Sequence, residues 1–268
     1  MTLALAIHGA AGRMGQRLVA LATADPDFKI VGAIDSPQHP KLGSDAGVLA
    51  GVGELGVALA VELDGQPDVV IDFSVAAAVD AIVRQCVERK VPLVVATTGL
   101  SEAQQDELRQ SAEKIPIVWA PSMSLAVNLV MNLSEIAAKA LKDHPSGVDV
   151  EILERHHRFK EDAPSGTALR FGQIIADAMG QTEHVHGREG RPGPRRHEEI
   201  GYHAIRQGDN PGEHTIVFGL LGETIELRVA ATNRDCYAHG ALAAAKFVAG
   251  KSPGLYGMND VLGLEVRK

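Results

Sequence analysis

Apolar and polar positions follow one rhythm in the first half of this chain and another in the second. Up to about residue 120, short apolar runs alternate with stretches whose apolar residues recur at helical spacing, the pattern of buried strands separated by amphipathic helices. LALAIH (3–8), FKIVGAID (28–35), PDVVIDFS (67–74), VPLVVATT (91–98) and IPIVWAP (115–121) read as strands. Residues 14–24 and VAAAVDAIVRQCVERK (75–90) read as helices, and Ser101 with Gln104 predicts a capping box opening another. Strands alternating with helices predict a Rossmann-like α/β domain, a parallel sheet covered on both faces.

A helix over 125–141 then leads into VDVEILERHH, where Val148, Val150 and Ile152 alternate with polar residues as in a half-buried strand. SGTALRFGQIIADAM (165–179) is helical, and GYHAIRQ, HTIVFGLL and ETIELRVAAT (within 201–232) follow as strands, with DNPG and LGE as turns. Consecutive strands predict a mixed or antiparallel sheet, hence a second domain of α+β character. The final helix, HGALAAAKFVAGK (239–251), is expected to return to the first domain. The expected division is 1–124 with about 239–268, and 125–238. The Gly-, Pro- and Arg-rich run 180–197, with Arg188, Arg191, Arg195 and Arg196, is expected to be a lid or, in preference, a solvated, mobile connection.

At 268 residues the chain is long enough for two modest cores. A formal charge of -8 excludes a general nucleic-acid or membrane-surface binder, so any anion site must be local. No segment approaches the ~20 apolar residues of a membrane span, and MTLALAIHGAAG lacks the basic start of a signal peptide. Two cysteines, Cys86 and Cys236, make no disulfide framework and suit a reducing, cytoplasmic setting.

HGAAGRMGQRL sets Gly9, Gly12 and Gly15 between the first strand and a helix. Glycines allow close backbone approach to a diphosphate, and the helix start offers free N–H groups. Asp35 stands 20 residues after Gly15, at the end of the second strand, where a carboxylate accepts hydrogen bonds from an adenosine ribose. Strand, turn, helix and acid in that order indicate a dinucleotide site; the alternative is a tight turn that only packs helix on strand. A carboxylate at Asp35 repels a 2′-phosphate, and Ser36-Pro37 supply no arginine, so NADH is favoured; Arg13 leaves NADPH open. ATTG (96–99) and APSMS (120–124) follow later strands and are placed to face the nicotinamide end.

ERHHRFKEDAPSGTA (154–168) gathers His156, His157, Arg158 and Lys160 ahead of a Pro-Ser-Gly-Thr turn. Successive strand residues point to opposite faces, so both histidines share a pocket only if the strand ends between them. A zinc site would need further ligands at workable spacing, and no metal is expected. A histidine supplies a proton near neutral pH, Lys160 holds a carboxylate or gives a second proton, and Ser165, Gly166 and Thr167 at a helix start cradle an anion. Together they describe reduction of an anionic, conjugated C=N or C=O compound by a nicotinamide. Two rivals remain open: an aldehyde dehydrogenase acting through a cysteine thioester, and a nucleotide-sensing module without turnover.

HHRFKEDAPSGTA resembles the signature of the 4-hydroxy-tetrahydrodipicolinate reductase (dihydrodipicolinate reductase) family of diaminopimelate and lysine biosynthesis. GAAGRMG, DFS (72–74), TTG (97–99), REGRPGPR (188–195) and IGYHAIRQGDNPGEH (200–214) also look like family segments. The resemblance implies NAD(P)H-dependent reduction of a small dicarboxylate in a homotetramer. The second domain would carry substrate and the tetramer contacts. It makes His156 the proton donor and Lys160 the second, puts His157 against substrate, and gives Gly166 and Thr167 a substrate carboxylate. Cofactor contacts fall on Gly9, Ala10, Ala11, Gly12, Arg13 and Met14, on Asp35, on Ala96, Thr97 and Thr98, and on Ala120, Pro121, Ser122 and Met123. The chain departs from the family pattern at Ala96, usually Gly, at Ser122-Met123, often Asn-Phe, and at Val229, often His.

Overall fold

The computed structural model describes residues 2–264. In chain order its first elements are β1 (Leu3–His8), α1 (Arg13–Ala24), β2 (Phe28–Ile34), α2 (Ala46–Ala50), β3 (Leu59–Ala60), β4 (Val69–Asp72), α3 (Ala76–Arg89), β5 (Leu93–Val95), α4 (Glu102–Ser111) and β6 (Pro116–Trp119). There follow α5 (Leu125–Leu141), β7 (Asp149–His156), α6 (Gly166–Met179), β8 (Glu183–His186), β9 (Glu199–Arg206), β10 (Glu213–Leu220) and β11 (Glu223–Ala230). The described chain ends with α7 (Asp235–Val248), β12 (Gly254–Tyr256) and α8 (Met258–Val261). It divides into two compact units, one running to Leu125 and resuming at Asp235, the other spanning Ala126–Arg234.

The first unit holds a seven-stranded sheet in the order β12-β6-β5-β4-β1-β2-β3. Every pairing in it is parallel, so all the strands run the same way and their carboxyl ends share one edge. Both faces are covered, which is why the strands read as continuous apolar runs. Leu5 and Ile7 of β1 face α1 and α7, while Ala6, with Val70 of β4, faces α3 and α4. The Ser101–Gln104 capping box opens α4. α7 lies on α1, and a bidentate pair from Arg17 to Asp235, both bonds 2.8 Å, ties the two helices. The reversal of strand order on either side of β1 is the topological switch of a doubly wound fold, and the carboxyl edge there is where such sheets bind ligands.

The second unit is a five-stranded mixed sheet, β11-β10-β7-β9-β8. β7 pairs antiparallel with β10 and parallel with β9. One face carries α5 and α6 over Val150, Ile152, Phe171, Ile216 and Phe218. β7 is central and strictly alternating, with Val150, Ile152, Glu154 and His156 all buried. Two polar residues thus continue an apolar row at its end.

The run 180–197 departs from the expected mobile connection. It contains β8, parallel to β9, and three of its four arginines are anchored, Arg191 being exposed. Arg188 grips Glu151 through two bonds of 3.0 and 2.8 Å and reaches Glu199 at 3.1 Å. Arg195 bonds Glu151 and Asp149, and Arg196 pairs with Glu183. Burial works against the Glu151 charge, but Arg188, His203 and Arg195 outweigh it and hold its carboxyl down at about 2. Composition announced a loop; the carboxylates that fix it lie on β7, remote in sequence, and on the adjoining β8 and β9.

Candidate functional site

At the carboxyl edge of the first sheet, Gly9 sits at φ +79°, and a Cβ there would lie 2.5 Å from the carbonyl oxygen of Phe73. A Cβ on Gly15 would lie 2.0 Å from the Gly9 carbonyl oxygen, so the turn closes only around glycine. Gly12 caps α1 without a side-chain hydrogen bond, and the first turn of α1 carries no acid. Its N–H groups and positive dipole end are left for an external anion. Ala10 is buried beneath the turn, Ala11 and Met14 pack on the same core, and Arg13 is exposed.

Asp35 lies beside this turn. Its carboxylate accepts from Ala11 N at 2.9 Å and from Ser36 N at 2.8 Å, which ties the end of β2 to the glycine loop. A cleft of about 670 Å³ opens here, lined by Gly9, Gly12, Asp35, Ser36, Ser74 and the first half of α3, among others. An uncapped helix start, a glycine turn and an acid beside one cleft fit the diphosphate and ribose of a dinucleotide.

The other two loops leave the same edge. Ala96 and Thr97 are buried, Thr98 is exposed, and Thr97 Oγ1 accepts from Ser74 N at 3.0 Å. Ala120 is buried, Pro121 exposed and Ser122 half-buried. Met123 is 1% exposed, and its side chain joins the core shared with α7.

In the second unit, β7 ends at His156 and His157 begins a turn. The strand therefore does stop between the two histidines. His156 is buried; His157 is half-buried, with its ring 6.2 Å from Phe159. Lys160 N donates to the His157 carbonyl at 3.1 Å, and its ammonium pairs with Asp162 at 2.7 Å. Ser165 caps α6, its hydroxyl accepting from Ala168 N at 3.1 Å. Gly166 and Thr167 are the first residues of the helix, where N–H groups have no intrahelical acceptor.

Four residues the motif reading passed over, Glu154, Arg206, His214 and Gly212, hold this turn together. Glu154, 1% exposed, accepts from Arg206 through both oxygens at 2.7 and 2.8 Å and from Ser165 N at 3.1 Å. The same carboxylate bonds His156 Nδ1 at 2.6 Å. His214 Nε2 lies 3.0 Å from Ser165 Oγ, and its ring meets that of His156 edge-on at 5.3 Å. Gly212, at φ +145°, lets the following backbone pass so close that a Cβ would be 3.0 Å from His156 Nε2. A sequence signal existed for Glu154 and His214: each falls in the core-facing register of its strand, two residues from Ile152 and Ile216.

The electrostatics follow from this burial. Desolvation lowers the pKa of His156, against the opposing pull of Glu154, while Lys160 and Arg206 add to the lowering. Burial opposes charge on Glu154, but Arg206 and His156 win, and its pKa is lowered. His214 is pushed down to about 4, by burial and then by His156. The thiols offer no activated nucleophile: burial raises both Cys86, inside α3, and Cys236, inside α7. Among the described residues no group of three or more His, Cys, Asp and Glu is placed to hold a metal, and no helix is long and apolar enough to cross a membrane.

Family models described as the N-terminus and the C-terminus of dihydrodipicolinate reductase match residues 3–123 and 126–262. The chain belongs to the dihydrodipicolinate reductase family. A 4-hydroxy-tetrahydrodipicolinate reductase from Rhodopirellula baltica is 60% identical over 98% of this chain and 96% of its own length. One from Alkalilimnicola ehrlichii is 47% identical over 98% of this chain and all of its own. A solved dipicolinate-bound dihydrodipicolinate reductase from Paenisporosarcina sp. TG-14 superposes with a TM-score of 0.77, at 26% identity, over 97% of this chain and 99% of that one. The activity is that of this reductase family: pyridine-nucleotide-dependent reduction of 4-hydroxy-tetrahydrodipicolinate to tetrahydrodipicolinate, in diaminopimelate and lysine biosynthesis. This sets aside both the thioester dehydrogenase and the non-catalytic sensor.

The His214 shift has a consequence for stability. The unfolded chain takes up a proton near the ordinary histidine value of 6.5, where folded His214, at about 4, does not. Stability is therefore full above pH 6.5 and is lost as pH falls toward 4. Between pH 7.5 and 5 this residue accounts for a loss of about 2 kcal/mol. Urea unfolding at the two pH values is expected to show that loss in the wild type and a shallower dependence in His214→Asn; equal slopes would remove His214 as its source.

Proposed function

We propose that His156 is the proton donor of the reaction, presenting Nε2 to substrate while Glu154 holds Nδ1. The observation that supports this most is the 2.6 Å bond between the two, inside a carboxylate that is itself fixed by Arg206 and by Ser165 N. A neutral histidine whose Nδ1–H is committed keeps its lone pair on Nε2, and a proton taken up there is the one available to give. A dicarboxylate nearby would favour the charged ring and offset the lowering by burial.

Lys160 is read as a substrate-carboxylate ligand and second proton donor, exchanging Asp162 for the incoming anion. Gly166 and Thr167 would take a carboxylate on the α6 start, and His157 would contact substrate from the turn. The substrate would react as its dehydrated cyclic imine. A nicotinamide held there would supply the hydride. His156 then protonates the electron-rich ring that hydride addition leaves, and one hydride and one proton complete the reduction. Gly9, Ala10, Ala11, Gly12, Arg13 and Met14 would hold the diphosphate, Asp35 the ribose, and the loops 96–98 and 120–123 the nicotinamide end.

NADH is the proposed preferred cofactor. Asp35 repels a 2′-phosphate, and neither arginine nor lysine lines the described cleft beside it. A homotetramer is proposed from the family resemblance, and a cytoplasmic setting from the two cysteines that make no disulfide framework.

His156→Gln is expected to lower kcat by about 10²–10⁴-fold, with NADH affinity unchanged in a fluorescence titration. Near-normal turnover would take His156 out of this role. Steady-state comparison of the two cofactors is expected to give a higher kcat/KM with NADH; a preference for NADPH would overturn the assignment built on Asp35.

A further inference from the structure

β1 and β4 adjoin in parallel register, with His8 opposite Asp72 at their carboxyl ends. Both side chains emerge on the face that carries α3: the residues two back, Ala6 and Val70, belong to that core. His8 Nδ1 lies 2.7 Å from Asp72 Oδ1, and Ser74 Oγ donates to the same oxygen at 2.6 Å. Asp72 is fully buried and His8 is 7% exposed. Apolar side chains would pack at these two positions without the cost of burying a carboxylate beside an imidazole, as they do one step earlier in each strand. Yet the polar trio stands at the ligand-binding edge of the sheet, and His8 borders the same cleft as Gly9, Gly12 and Asp35. With Nδ1 committed to Asp72, Nε2 is the polar atom left to the ring.

We propose that His8 is a further dinucleotide-binding residue of this chain, its Nε2 donating to the diphosphate where that group crosses the glycine turn, and that Asp72 and Ser74 orient the ring for it. This rests on the cleft being the dinucleotide site. Three features place the contact at the diphosphate. His8 immediately precedes Gly9. β1 lies between β2, whose end carries Asp35, and β4. With Nδ1 held by Asp72, the ring's remaining nitrogen can serve an oxygen of a ligand in the cleft that His8 borders.

The test is calorimetric titration of the full-length protein with NADH and with ADP-ribose, which keeps the diphosphate and lacks the nicotinamide. Wild type is compared with His8→Ala and with His8→Ala/Asp72→Asn, the double variant removing the buried charge that the single variant leaves unpaired. Both ligands are expected to lose affinity by the same factor, roughly tenfold or more. Unchanged affinity in whichever variant keeps the wild-type melting profile would overturn the role of His8. A loss for NADH without one for ADP-ribose would overturn the diphosphate assignment. A wild type that binds neither ligand would instead sink the reading of the cleft itself.

Discussion

A single buried carboxylate organises the chemistry-bearing part of the second unit. Glu154 sits where an apolar residue would extend the core row of β7, and an unpaired charge there would be expensive. It is tolerated because four donors converge on it: two from Arg206, one from Ser165 N and one from His156. Each of those bonds fixes something else. Arg206 joins β9 to β7, Ser165 sets the start of α6, and His156 receives its orientation. The helix start that would receive a substrate carboxylate and the imidazole that would give the proton are thus positioned by the same two oxygens. Removing the carboxylate would loosen both at once, so the effects of changing Glu154, His156 and Arg206 should not add.

The first unit repeats the device in a different sheet. His8 and Asp72 continue the apolar rows of β1 and β4 at their carboxyl ends, as Glu154 and His156 do on β7. In both places a strand that has been building core for several residues ends in a titratable pair. The rigid sheet fixes where the pair stands, and the loop that follows supplies the backbone donors: the glycine turn after β1, and the turn leading to α6 after β7. At Gly9, Gly15 and Gly212 the backbone comes so close to itself or to a ring that a Cβ would meet another atom at 3.0 Å or less.

Much of this was legible in the sequence, and for identifiable reasons. Continuous apolar runs marked the parallel strands, and the alternation of Val148, Val150 and Ile152 marked β7, because burial on two faces or one writes directly into the pattern. The glycine turn and the HHRFKEDAPSGTA segment were legible because their chemistry is local. What escaped depended on contacts between distant segments. The anchoring of Arg188 and Arg195 on Glu151 turned an expected mobile stretch into an ordered one. Short β3, β8 and β12 carry too few residues to show a period. Glu154 and His214 had the register signal, but Glu154 opened the conspicuous motif without a role being legible for it, and His214 is joined to that motif only by the pairing of β7 with β10.

If Glu154 orients His156, the ring must hold its proton on Nδ1 when neutral and exchange protons at Nε2. Nitrogen-15 NMR of histidine-labelled protein, with His156 assigned by comparison with His156→Gln, reads this directly. The wild type is predicted to show the Nδ1–H tautomer for His156, and Glu154→Gln to lose that bias while remaining folded. An Nε2–H tautomer in the wild type, or the same tautomer with and without the Glu154 carboxylate, would contradict the account.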